Sequence, residues 1–116
     1  QIRLGDARVR LSALRALIAA TADEIEAIVV SGQRVSRSVR ADARLAAARA
    51  VHECRAIIAD LLEASGAGAH FLSSPLQRAK RDVDIAAGHV VFDHDTSREL
   101  AGALAIGAKI SPISMI

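Results

Sequence analysis

A chain of 116 residues leaves room for one domain, and 52% hydrophobic against 24% charged residues, with only 7 Gly and 2 Pro, describes a sequence that folds rather than a disordered one. Fifteen Lys and Arg against 13 Asp and Glu leave a net charge of +2, which is no field for nucleic acid, and Phe71 and Phe92 are the only aromatics available to stack on a base. The single Cys54 excludes an intrachain disulfide, and no apolar run approaches the ~20 residues of a membrane span.

With no basic-then-apolar leader at the start, a reducing, cytoplasmic setting is the expectation, with neither membrane nor nucleic acid as partner. The chain opens on Gln1 rather than Met, so it is expected to be a piece of a longer protein, with residues 1–116 forming one helical-bundle domain.

From Ile2 to Val30 the apolar residues Leu4, Leu11, Leu14, Leu17, Ile18, Ile25, Ile28 and Val29 recur at helical spacing and predict one long amphipathic helix. Gly32 is placed to take the left-handed conformation after it, and Ser31 to Ser38 reads as the turn. A second helix carries Val39, Ala43, Ala47, Val51, Cys54, Ile57, Ile58, Leu61 and Leu62, and Ser65 with Gly66 ends it. Residues 66–74 read as a loop. Ser74, Pro75 and Gln77 then spell a capping box with Pro at the first helical position. The third helix is predicted from there through Leu76, Ala79, Val83 and Val90, laced by Arg78–Asp82 and Lys80–Asp84 pairs. Thr96 and Glu99 predict a second capping box ahead of a short fourth helix over Leu100, Ala103 and Leu104 to Gly107. Two long and two short helices with short connections predict an all-α, antiparallel four-helix bundle.

Few residues suggest chemistry by themselves. The histidines at 52, 70, 89 and 94 show no metal-ligand spacing, so no metal is expected. His52 and Glu53 point about 100° apart on a helix, which makes His52 a solvated or interhelical residue. Cys54 lies on the apolar stripe, where a buried inert thiol is the ordinary reading. Gly66-Ala67-Gly68 lacks the strand and spacing of a dinucleotide fingerprint and reads as a turn. His89 follows Gly88 at a helix end, where a proton donor can be built, although a Gly-His pair there also serves as a plain C-terminal cap.

Ser73-Ser74-Pro75-Leu76-Gln77-Arg78-Ala79-Lys80-Arg81-Asp82, then His89, then Arg98-Glu99-Leu100-Ala101-Gly102, resembles the C-terminal helical domain of the acyl-CoA dehydrogenase superfamily. The resemblance spans the whole chain and is stronger to the flavin-dependent monooxygenase branch, the hydroxylases of aromatic compounds and steroid catabolites and the dibenzothiophene monooxygenases. In ordinary acyl-CoA dehydrogenases the helix after the Arg-Asp pair leads to a Tyr-Glu-Gly-Thr type motif whose Glu is the catalytic base. The matching positions here are His89, Val90 and, in place of the Thr, Phe92. Valine is no base, whereas a His at this place resembles the monooxygenase residue that assists the flavin C4a-(hydro)peroxide.

The resemblance implies more. The family's Gln-x-x-Gly-Gly motif, which reaches the flavin of a neighbouring subunit, is matched by Glu63-Ala64-Ser65-Gly66-Ala67, with a carboxylate where the family has an amide. Glu63, Gly66 and Ala67 are thus the implied cofactor contacts and His89 the implied catalytic residue. Arg78 and Arg81 fit phosphate contact or, more simply, ion pairing within the helix or between domains. The implied function is that of the C-terminal part of a two-component monooxygenase: FAD or FMN supplied reduced by a separate flavin reductase, O2, and a small-molecule substrate held mostly by domains outside these residues. It would supply contacts of a homotetramer and one wall of the flavin site. The alternatives are an acyl-CoA dehydrogenase fragment whose base comes from elsewhere, and a helical oligomerisation module without flavin.

Overall fold

The computed structural model describes residues 1–111. With no Pro and one Gly, the first segment runs as a single helix, α1 (Ile2–Val30), of 29 residues. Gly32 ends it at φ +75°, a conformation that costs a Cβ-bearing residue about 1–2 kcal/mol. Ser36 then caps α2 (Arg37–Ser65), its hydroxyl oxygen accepting from the Val39 N–H at 3.2 Å. Gly66, at φ +72°, closes α2. The loop holds a first 3₁₀ turn (Ala67–His70) and leads to α3 (Pro75–Ala87); a second 3₁₀ turn (Val90–Phe92) joins α3 to α4 (His94–Ala105). No strand occurs among the described residues, and the architecture is the expected all-α antiparallel bundle.

α2 is its central element, packing on α1, α3, α4 and both 3₁₀ turns. The helical period explains how one helix serves so many partners. Ala46, Glu53 and Ile57 share one side of α2, and Glu53 on that side meets α1: its Oε1 accepts from both Nε of Arg10 at 2.7 Å and Nη2 at 2.6 Å. The third nitrogen of Arg10 reaches Asp60 at 2.8 Å, and these bonds, Asp60 first and then Glu53, hold the guanidinium still more firmly protonated than usual. The opposite side carries Ala41, Ala48 and His52 toward the second half of the chain. Ala41 is wholly buried and forms a core with Leu100 and Ala101, flanked by Leu45, Leu104 and Ile110. Alanine at Ala41, Ala46 and Ala48 lets the helices approach closely, so the core is built from short side chains and Ile57 is its largest fully buried member.

Four sequence expectations need correction. The Ser74–Gln77 capping box does not form: the Ser74 side chain caps nothing, its own N–H is taken by the Phe71 carbonyl at 2.9 Å, and the Gln77 amide oxygen is turned inward and buried. A box needs that N–H free; Pro75 at the first helical position starts α3 instead. Likewise α4 begins before Thr96, because Asp93 is the cap and accepts from the Thr96 N–H at 2.8 Å. Finally, α3 stops at Ala87 and does not reach Val90; the Gly88 N–H closes the last turn on Asp84 and Ile85, and the chain turns away at His89. On α1, moreover, the predicted stripe is only part-buried: Leu4, Leu17, Ile18 and Val29 remain exposed.

Candidate functional site

His89 stands between α3 and the second 3₁₀ turn. The local sequence sets its chemistry. Once the helix has stopped, the Val91 N–H has no helical acceptor, and the imidazole Nδ1 of His89 accepts it at 3.2 Å. An Nδ1 that accepts carries no proton, so the neutral ring is the Nε2–H tautomer and presents that N–H as a donor. The ring is exposed and lies 6.1 Å from that of Phe92, tilted by 59°. Exposed apolar side chains surround it along the chain: Ile85, Val90 and Val91.

The turn has one carboxylate within it, and that group is poorly suited to be a base. Asp93 spends an oxygen on the cap of α4, and its carboxyl is held below the usual carboxylate range, first by the Thr96 N–H and also by the nearby Arg44 cation. Val90 is 56% exposed and brings no titratable group to the turn.

Glu63, Gly66 and Ala67 lie elsewhere. They cluster at the C-terminal end of α2, where all three are exposed, and a Cβ on Gly66 would meet nothing within 4 Å. The Glu63 carboxylate is ion-paired to Arg3 of α1, whose Nη1 also donates to the Asp60 carbonyl at 3.1 Å. The turn after His89 is tied to α2 at Arg44, whose Nη2 donates to the Val90 carbonyl at 3.2 Å. From Arg44 to Glu63 α2 rises about 28 Å. The structure therefore does not bring the two groups of expected contacts together within one chain.

Two residues that sequence reasoning left unconnected are joined here. His52 of α2 and His94 of α4 stack with ring centroids 4.5 Å apart and planes 20° from parallel. Grooves lie on either side, one of about 250 Å³ lined by Val51, Arg55, Ala87 and Phe92, the other of about 510 Å³ lined by Leu45, Arg49 and Arg98. Burial pushes the His94 imidazole below its ordinary value, reinforced by His52, Arg98 and Arg49. The two residues are far apart in sequence, and no local pattern links them. Cys54 behaves as expected for a structural thiol: burial, then Glu53, pushes its pKa up and away from the reactive thiolate. Arg78 is ion-paired within α3 to Asp82 at 3.9 Å. No group of three His, Cys, Asp or Glu that could hold a metal ion occurs among the described residues, and none of their helices is long and apolar enough to cross a membrane.

Residues 1–94 match the family model described as acyl-CoA dehydrogenase, C-terminal domain. Among solved structures, the 3-HSA hydroxylase from Rhodococcus sp. RHA1 superposes with a TM-score of 0.88 at 27% identity over 95% of this chain and 29% of that one. The HsaA monooxygenase from M. tuberculosis gives 0.85 at 27% identity, covering 93% and 28% of the two chains. XiaF from Streptomyces sp., solved in complex with FADH2 and glycerol, gives 0.88 at 26% identity, covering 97% and 28%. The chain thus spans less than a third of the length of these proteins. No curated protein matches the sequence.

Proposed function

Because this chain belongs to the acyl-CoA dehydrogenase C-terminal domain family, we propose that it is the C-terminal helical part of a longer flavin-dependent monooxygenase that works on a small molecule with O2 and flavin reduced by a separate reductase. The observation that carries the reading is the exposed Nε2–H of His89, held in that tautomer by the Val91 N–H, on a turn where Val90 stands in place of a carboxylate. A turn with a neutral donor and no competent base fits oxygen chemistry better than removal of a carbon-bound proton. The relatives support the same choice, being a hydroxylase, a monooxygenase and a protein solved with FADH2.

The residues present fit a flavin. At the other end of α2, the open backbone at Gly66 and Ala67 admits a close approach, and Arg3 offsets the Glu63 charge that would repel a phosphate. When bound, reduced flavin, FAD or FMN, supplies two electrons for O2. In this reading, His89 donates a hydrogen bond from its Nε2–H to an oxygen-centred acceptor beside the turn and keeps its proton, stabilising negative charge there. Since the His89 turn packs on α2 near Arg44 and Val51, well short of the Gly66 surface that follows its last turn, a flavin would be held by the two from different copies, and the chain serves in a homotetramer. A cytoplasmic setting, with its supply of reduced flavin, belongs to the same reading.

The test uses the full-length protein. Reduced FAD or FMN is mixed with O2 in stopped flow, and both the return of oxidised flavin and the release of hydrogen peroxide are followed in wild type and His89→Ala. The expected result is a slow, protein-imposed reoxidation in wild type that His89→Ala accelerates by about 10- to 100-fold, the loss of one hydrogen bond to a charged acceptor, with flavin affinity retained. Equal time courses would overturn the role of His89. Reduction of a dye by an acyl-CoA ester would move the protein to the dehydrogenases, and absence of any flavin affinity would leave an oligomerisation module.

A further inference from the structure

The His89 turn has little to hold it in place by itself. It is a three-residue 3₁₀ segment, a geometry with weak hydrogen bonds, and its internal bonds are Phe92 N–H to the His89 carbonyl at 2.8 Å and Asp93 N–H to the Val90 carbonyl at 3.2 Å. Val90 and Val91 are exposed and bury little apolar surface. Phe92, half-buried beside Val51 and Ala87, anchors the far end of the turn. At the near end, next to His89, Arg44 is the one side chain from outside the turn that bonds to it among the described residues, through the Val90 carbonyl.

Arg44 is well placed to be an anchor. It is half-buried on the same side of α2 as Ala41 and Ala48, both fully buried, so it projects from the part of the helix locked into the core. Its guanidinium spans the turn, bonded to the carbonyl that opens it and acting electrostatically on Asp93, the residue that closes it and caps α4. A planar, always-charged fork can serve two acceptors at once, whereas an ammonium serves them as a point charge.

We propose that Arg44 is a positioning residue for His89: by bonding the Val90 carbonyl it fixes the 3₁₀ turn on α2 and so holds the Nε2–H of His89 in one direction. The inference rests on the reading of His89 as a hydrogen-bond donor to the bound oxygen species, but the fixing of the turn is measurable without it.

Full-length wild type, Arg44→Ala and Arg44→Lys are compared in two ways. Hydrogen exchange by mass spectrometry, without flavin, reads the peptide covering residues 88–97: Arg44→Ala is expected to raise exchange there about 10-fold while peptides from α1 keep wild-type rates, and Arg44→Lys is expected to recover most of the protection. The slow reoxidation of reduced flavin is then followed at one pH. Arg44→Ala is expected to accelerate it as His89→Ala does, with flavin affinity retained, and Arg44→Lys to restore the slow rate, a rescue that a general loss of stability would not produce. Wild-type exchange at 88–97 in Arg44→Ala would overturn the proposal, as would a wild-type reoxidation rate in that variant. If His89→Ala itself behaves as wild type, the reading of His89 fails, while the exchange data still decide whether Arg44 fixes the turn.

Discussion

His94 shows how a single residue ties the stability of this fold to pH. It is the first residue of α4, stacked on His52 of α2, and the charged groups around the pair are Arg49 and Arg55 from α2 and Asp93, Asp95 and Arg98 from α4 and its cap. Burial first, and then His52, Arg98 and Arg49, lower the folded-state pKa of His94 below its ordinary 6.5. A histidine whose folded pKa is depressed binds fewer protons in the fold than in the unfolded chain, so its contribution is fully present above the unfolded pKa and is lost as pH falls through the folded one. The midpoint of thermal unfolding is therefore expected to drop between pH 7.5 and pH 5, and His94→Asn to remove most of that difference. Asp84 and Asp93, whose folded pKa values are also lowered, titrate in a more acidic window and leave this one clear. Circular dichroism melts across the range decide it; an unchanged slope in His94→Asn would show that the stack carries no such linkage.

At the scale of elements, the helices were legible because their signals are local. The 3–4 spacing of Leu11, Leu14, Ile25 and Ile28 and the glycines at 32 and 66 depend on neighbours within one turn, and the structure shows the same helix at the same limits. The misread caps involve competition between local signals. Thr96 and Glu99 make a sound capping box, but Asp93 lies three residues earlier, is as strong a cap, and lets α4 begin where its Ser97 can be buried and bond the Asp93 carbonyl at 2.6 Å. Val90 keeps the apolar rhythm of α3, yet the helix ends at Ala87 with Gly88 as its cap, and His89 then offers its ring nitrogen to the Val91 N–H beyond that end. Of the candidate site, His89 and the turn at Gly66 were found from sequence and family resemblance, whereas Arg44 and the His52–His94 stack depend on contacts more than forty residues apart. The same long-range packing makes the small residues of α2 intolerant of growth. Ala41 has no room beside Leu100 and Ala101, so Ala41→Leu is expected to lower stability by about 1–3 kcal/mol in urea unfolding, while the exposed Ala59→Leu on the same helix changes it little.

On the scale of the whole molecule, the distance along α2 turns the proposed cofactor site into a question about copies. His89 is held near Arg44, and Glu63, Gly66 and Ala67 lie about 28 Å further along a straight helix, on exposed surface with no contact to the turn. If each site takes the hydrogen-bond donor from one copy and the small-residue backbone from another, two defective variants can repair each other. His89→Ala removes the donor. Ala67→Asp, at an exposed position outside the core, sets a second carboxylate beside Glu63 where a phosphate would approach. Each variant alone is expected to lose the slow, protein-imposed reoxidation of reduced flavin. When the two full-length variants are unfolded together, refolded as mixed oligomers and assayed in stopped flow, about a quarter of the sites combine an intact His89 with an intact Ala67 surface, and that fraction of the slow phase should return. Sites built within a single chain always keep one defect, so a mixture that stays as inactive as its components would place both contacts on the same copy or remove one of them from the site.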